Sequence, residues 1–217
     1  MLLSSVGAKL LIGLTGLALF LYLILHLAGN ALVFAGRDIF NEYSHTLISN
    51  PLIVPIELGL ALIFVVHFSQ AISNYLKNRA ARPIGYVKKV AAGRTSRKSL
   101  SSSSMIVSGL VILLFVVVHV KQFKYGAWYQ TAGPESIRDL YRTEVEVFSQ
   151  PVWVAFYVIA TAIVGLHLRH GIASGFQSIG LDHPVYTRRL TAVSILFAVL
   201  IGAGLGFIPL YLYFSRR

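Results

Sequence analysis

Long apolar runs separated by short polar stretches dominate the chain. Five of them, roughly 7–35, 51–76, 104–123, 150–176 and 188–214, reach the length of about 20 residues that an α-helix needs to cross bilayer hydrocarbon. The pattern predicts an all-α fold: one transmembrane domain over 1–217, an integral membrane bundle of five helices. Pro51 and Pro151 stand where the second and fourth helices are expected to begin, a place that tolerates a missing N–H. A basic loop over 77–100 follows the second span, and Ser101–Ser104 forms the polar approach to the third. Between the third and fourth spans, Pro134–Phe148 predicts a short amphipathic helix lying on the membrane surface. The segment 36–50 is expected to be a loop, and the chain shows no strong internal repeat. The first apolar run is too long for a signal peptide and lacks a small-residue cleavage site.

Composition agrees with lipid as the solvent. Apolar residues make up 56% of the 217 positions and charged residues 12%, against roughly a quarter charged in soluble domains. Cysteine is absent, which excludes disulfides, iron–sulfur clusters, thiolate zinc sites and cysteine nucleophiles on this chain. The formal net charge is +11, but the charges are scattered among loops rather than gathered along a groove, so nucleic acid is not the expected partner. Counting Lys and Arg on the two sides sets the expected direction. Lys9, the eight residues from Lys77 to Lys98, Arg169, Arg188 and Arg189 give twelve on one side, and seven fall on the other. The richer side is expected to be cytoplasmic, with the amino terminus inside and the carboxyl terminus outside.

Five of the seven histidines fall inside apolar runs: His26, His67, His119, His167 and His170. Ionisable groups within a membrane are costly and mark function, although a single one also fits a neutral histidine bonded to a backbone carbonyl. Each of the first four spans carries such a histidine and the fifth carries none. His26 lies 17 residues after Lys9; His67, His119 and His167 lie 16 after Pro51, Ser103 and Pro151. At 1.5 Å per residue each sits about 24 Å along its helix. Alternate helices run in opposite directions, so His26 and His119 are expected to meet in the outer half, and His67 and His167 in the inner half. Two imidazoles at one depth on neighbouring helices are what a six-coordinate haem requires. Two such pairs predict two b haems stacked across the membrane. His170 competes with His167 for the fourth ligand position, and Arg169 points away toward headgroups or a partner. Gly29, Ser69, Gly165 and Gly171 are small enough to admit a flat porphyrin or a closely packed helix.

Four segments carry a family likeness: HLAGN at 26–30, PLIVPIELGLALIFVVHFSQ at 51–70, HVKQFKYG at 119–126 and HLRHGIASGFQSIGLDHP at 167–184. With the order of spans, they make the chain resemble the five-helix, dihaem cytochrome b subunit that anchors bacterial succinate dehydrogenase and quinol:fumarate reductase. The resemblance implies axial ligands at His26, His67, His119 and His167, first helix paired with third and second with fourth. It implies a bacterial cytoplasmic membrane, a flavoprotein subunit and an iron–sulfur subunit on the cytoplasmic face, and electron exchange with menaquinone or another quinone. Some two-haem relatives place an acid beside the ligand of the fourth helix; here Gly165 stands two residues before His167.

For the quinone, Glu57 is the leading candidate, about 9 Å into the outer half by the helix rise. A carboxylate there is suited to the protons that accompany quinone chemistry, and equally to a hydrogen bond with a neighbouring helix. His45 and Tyr43 in the outer loop are further candidates. Two other functions share parts of the pattern. A cytochrome b anchor of a hydrogenase or formate dehydrogenase has the same haem chemistry with other partners. A proton or metal transporter lines its path with intramembrane histidines and has no visible absorption.

Overall fold

A computed structural model describes residues 4–81, 104–134, 136–181 and 183–215. Seven α-helices are present among them: α1 (Ser5–Asn30), α2 (Arg37–Ser49), α3 (Ile53–Ala80), α4 (Met105–Phe123), α5 (Leu140–Val147), α6 (Pro151–Ser178) and α7 (Pro184–Phe214). A 3-10 turn over Ala31–Ala35 prolongs α1. Five helices are long and apolar enough to cross a membrane: α1, α3, α4, α6 and α7. The all-α, five-span expectation is therefore met; the basic loop expected over 77–100 begins later, because α3 carries Lys77 and Arg79 in its last turn, and positions 82–100 and Ser101–Ser103 lie outside the described residues.

The tight seam of the bundle is the α6–α7 pair. A Cβ added at Gly165 would sit 2.9 Å from the Ala198 carbonyl, and one at Gly202 would sit 3.1 Å from the Cα of Gly165. In lipid there is no water to expel, so such close backbone approach and the dispersion it gains do the work of association. Around that seam Val164, Leu168, Ile172, Ala198 and Ile201 form a buried cluster. Helix α1 joins it where Gly13 meets Ser178 and Gly175. Helix α3 buries none of its residues and keeps Leu58 and Leu62 facing outward at 67% and 64% exposure, as lipid contact demands.

The opposite end from the start of α1 is closed by a polar cap, and three sequence expectations change there. The loop over 36–50 is in fact helix α2: Gly36 at φ 106° ends the 3-10 turn, and Phe40, Asn41 and Ser44 share a buried face one turn apart. The surface helix is shorter than Pro134–Phe148, because Asp139 caps it by accepting the Arg142 N–H at 3.1 Å. The residues before it instead fold back through Thr131 N–H to the Ile137 carbonyl and a bridge between Gln130 and Arg138. Pro51 does not start α3: the Asn50 side chain accepts the Leu52 N–H at 2.9 Å, making a turn that delays the helix to Ile53. Pro151 does stand at the first turn of α6. The fifth span begins earlier than position 188, with His183 Nδ1 accepting the Val185 N–H at 3.3 Å.

Asp139 organises the cap. It is fully shielded from solvent and takes hydrogen bonds from Arg37 at 2.5 Å, Asn41 at 2.8 Å and the Arg142 backbone. Burial alone would raise its carboxyl; the Arg37, Asn41 and backbone donors outweigh burial and hold it below the usual range. Asn41 in turn accepts the Tyr141 N–H at 2.9 Å, so one short network ties α2 to α5. Beneath it lies a second apolar cluster of Val33, Phe40, Val145, Phe148, Val154, Tyr157, Ile208 and Leu212.

Candidate functional site

The four histidines come together in the pairs that depth predicts. Toward the cap, His26 on α1 and His119 on α4 face each other with ring centres 5.7 Å apart and planes at 82°. A linear imidazole–metal–imidazole unit with metal–nitrogen bonds of about 2 Å puts ring centres roughly 6 Å apart, so the pair is spaced for one metal ion between them. Tyr22, one turn before His26 on the same face of α1, places its hydroxyl 3.3 Å from His26 Nδ1. His119 sits in an aromatic sleeve of Phe115, Phe123 and Tyr157, with ring centres at 5.7, 5.3 and 6.1 Å. Its Nδ1 is buried and has no hydrogen-bond partner, an orphaned nitrogen that a ligand would satisfy.

Toward the other end, His67 on α3 and His167 on α6 lie within electrostatic reach of each other. Each is held by a hydroxyl from a neighbouring helix. Thr15 Oγ1 lies 3.1 Å from His67 Nδ1, and Ser108 Oγ lies 2.9 Å from His167 Nδ1. The tautomer follows from the hydroxyl protons. Thr15 donates its own to the Leu11 carbonyl at 2.6 Å and Ser108 donates to the Met105 carbonyl at 3.1 Å. With the protons given to those carbonyls the oxygens accept, an assignment in which both Nδ1 atoms carry hydrogen and both Nε2 atoms present a lone pair. A metal-ligating histidine is commonly oriented in this way, through its second nitrogen.

Small residues complete the fit. A Cβ at Gly16 would meet His67 Cε1 at 3.0 Å, and one at Gly109 would meet His167 Cε1 at 3.7 Å. Gly16 follows Thr15 and Gly109 follows Ser108, and each pair precedes its helix's own histidine by three helical turns. The stretches TGLALFLYLILH and SGLVILLFVVVH share the pattern hydroxyl, Gly, Leu, eight residues, His. This is a short internal repeat in a chain that shows no strong one. Through it α1 and α4 each supply one histidine of the cap-side pair and one hydroxyl that orients the other pair. Thr15, Ser108, Gly16, Gly109 and Tyr22 were missed from the sequence, and the repeat was the signal that could have found the first four. Gly165 and Gly29 have other work: the first packs α6 on α7, and the second receives the Tyr43 ring, whose hydroxyl would lie 2.7 Å from an added Cβ. Gly171 has open space around it.

The remaining candidates are less gathered. His170 lies one turn from His167 and is half-buried, and Arg169 is exposed. Glu57 is not buried; it is ion-paired with Lys124 at the mouth of the bundle, each side chain 41% exposed. Tyr22 lies within electrostatic reach of both Glu57 and Tyr43. His45 is exposed on α2 and bonds only to Ser49 one turn on, so it stands apart from them. Among the described residues no group of three or more His, Cys, Asp or Glu forms a cage for a cation. The histidines offer ligands two at a time, which suits a metal whose other positions a macrocycle fills. No protein-family model, no curated protein and no solved structure matches the chain.

Proposed function

We propose that this chain is the membrane anchor and electron-transfer subunit of a succinate:quinone oxidoreductase, holding two b haems. His26 and His119 would hold the haem nearer the cap; His67 and His167 would hold the other. The observation that carries the reading is the pairing of four intramembrane histidines at two levels, with the repeat on α1 and α4 serving both. Bound haem supplies one-electron redox chemistry on iron, tuned by its axial ligands and surroundings. The chain's part is to orient and exclude. Thr15 and Ser108 fix the imidazole tautomers, the aromatic sleeve keeps water from His119, and the glycines leave room at His67 and His167.

Composition agrees with a division of labour among subunits. With no cysteine the chain carries no iron–sulfur cluster of its own, which agrees with the partners that the family resemblance implies, an iron–sulfur subunit and a flavoprotein subunit. The resemblance implies those partners on the cytoplasmic face of a bacterial membrane, which by the positive-inside count is the side of the basic loop. The cap, on the outer side, is where (mena)quinone would exchange electrons, with Glu57, Tyr22 and Tyr43 near the exchange and Lys124 holding the Glu57 carboxylate. Purification of the native membrane complex tests the reading. Two b haems per chain by pyridine haemochrome, with flavoprotein and iron–sulfur subunits and succinate–quinone turnover, is the expected result. A different copurifying dehydrogenase would transfer the chain to another complex, and a folded, colourless preparation would overturn the haem reading.

A further inference from the structure

The described residues contain three buried side-chain polar atoms without a hydrogen-bond partner: His119 Nδ1, Arg138 Nε and Glu144 Oε2. All three lie at the cap end. The first belongs to the proposed ligand, and the Arg138 guanidinium is otherwise engaged, donating to the Phe123 carbonyl at 2.6 Å and stacking 4.2 Å from Trp128. Glu144 is different. It is a carboxyl on α5 with 6% of its surface exposed, turned into the bundle next to Val145 and Thr143, which are also buried. Among the described residues no cation pairs with it. Arg37 on α2 is committed to Asp139, and Arg142 on α5 to Glu146. Its Oε2 has no hydrogen-bond partner, and Lys121 on α4 makes no ion pair with it. The titratable group in its electrostatic reach is Tyr157 on α6, whose hydroxyl donates to Gln122 Oε1 at 2.7 Å and whose ring lies 6.1 Å from His119.

An isolated carboxylate in such a place is expensive, and a carboxylic acid is not. We propose that Glu144 is a proton-storing group for the cap-side centre, taking up one proton when that centre gains an electron and releasing it when the electron leaves. The inference rests on the proposed electron-transfer function. The balance is simple: one electron arrives from the electron-transfer route, one proton arrives from water at the cap, and the Glu144 carboxylate becomes a carboxylic acid. Neither bond to the imidazoles is broken. The physical reason is charge. An electron added behind Tyr157 makes the surroundings more negative, which favours the protonated form. Burial already pushes the carboxyl up to about 8, and an added electron pushes it higher, so the redox-linked proton moves from about pH 8 upward.

The test uses the full membrane complex, wild type against Glu144→Gln and Glu144→Asp. Infrared pH titration reads the carboxylic-acid carbonyl band without needing haem. A band titrating near neutral to mildly alkaline pH, lost in Glu144→Gln and kept in Glu144→Asp, is expected. Redox titration of the cap-side haem at several pH values then reads the coupling. Above about pH 8 the wild-type reduction equilibrium should depend on pH by up to tenfold per unit, with Glu144→Gln flattening it and Glu144→Asp preserving it. The haem at His67 and His167 should be unaffected. Absence of the band at neutral pH, or an unchanged pH dependence in Glu144→Gln, overturns the proposal. The second result would leave the electron-transfer reading standing. A complex that binds no haem would sink that reading and the coupling with it, while the infrared titration still determines whether Glu144 holds a proton.

Discussion

The two histidine pairs come from different helices, α1 and α4 for one and α3 and α6 for the other, and they are held in different ways. His67 and His167 are each pinned through Nδ1 by a hydroxyl, Thr15 or Ser108, whose own proton is already given to a carbonyl. Their environment is polar at one chosen atom and otherwise spare. His26 and His119 are packed face to edge among Tyr22, Phe115, Phe123 and Tyr157, and His119 Nδ1 has no partner at all. One pair is oriented by hydrogen bonds and the other by ring packing. Under the haem reading, the first should depend on single hydroxyls and the second on the cap that closes over it.

The largest effect that sharpens this contrast is loss of a ligand. His67→Ala and His167→Ala are each expected to abolish one haem and His26→Ala and His119→Ala the other, read from haem content and reduced-minus-oxidised spectra. Next comes the cap. Asp139→Ala removes the acceptor of three donors and strands the buried Asn41 amide, while the half-exposed Arg37 returns to solvent, so it should cost roughly 1–3 kcal/mol. Thermal unfolding in detergent checks this, with the cap-side haem lost first. The Asp139 network is present at neutral pH and weakens as pH falls through its lowered carboxyl pKa.

A subtler pair of changes separates the sites further. Ser108→Ala and Thr15→Val should loosen the His67/His167 site by roughly 10–100-fold in haem affinity, leave the other haem in place, and be rescued by Ser108→Thr. Equal weakening of both haems would erase the distinction. Glu144 supplies a pH signature on the cap side alone. The folded chain holds its proton more tightly than the unfolded chain, about 8 against 4.5, so stability drains away as pH rises through that window. Glu144→Gln should therefore gain on the wild type from pH 4.5 to 8 and level off above, measured as melting temperature against pH. Smallest is Glu57→Gln: its pair with Lys124 is 41% exposed on both sides, so stability should move by less than about 1 kcal/mol. Unchanged quinone turnover in that variant would leave Glu57 a surface ion pair.

Helical spans and histidine depth were legible in the sequence because both follow from one-dimensional quantities, apolar length and rise per residue. The pairing of His26 with His119 needed nothing more. What the sequence analysis did not capture depends on which face of a helix meets which neighbour. Thr15 and Ser108 sit in apolar runs as ordinary helix hydroxyls until α3 and α6 bring His67 and His167 against them. Glu144 resembles any acid on a surface helix, and only Asp139 capping α5 and tying it to α2 turns that carboxyl inward. Helix α2 was hidden by low hydrophobicity, and Asn50 displaced the start of α3 by satisfying Leu52 locally.

The central claim is that four histidines make two sites with a fixed pairing. Redox-resolved visible spectra of the four single His→Ala variants in the purified complex test it most directly. The account predicts two spectral classes, His26 with His119 and His67 with His167, each lacking a different haem. Loss of the same haem from His67→Ala and His119→Ala, or retention of both haems in any of the four, would contradict it.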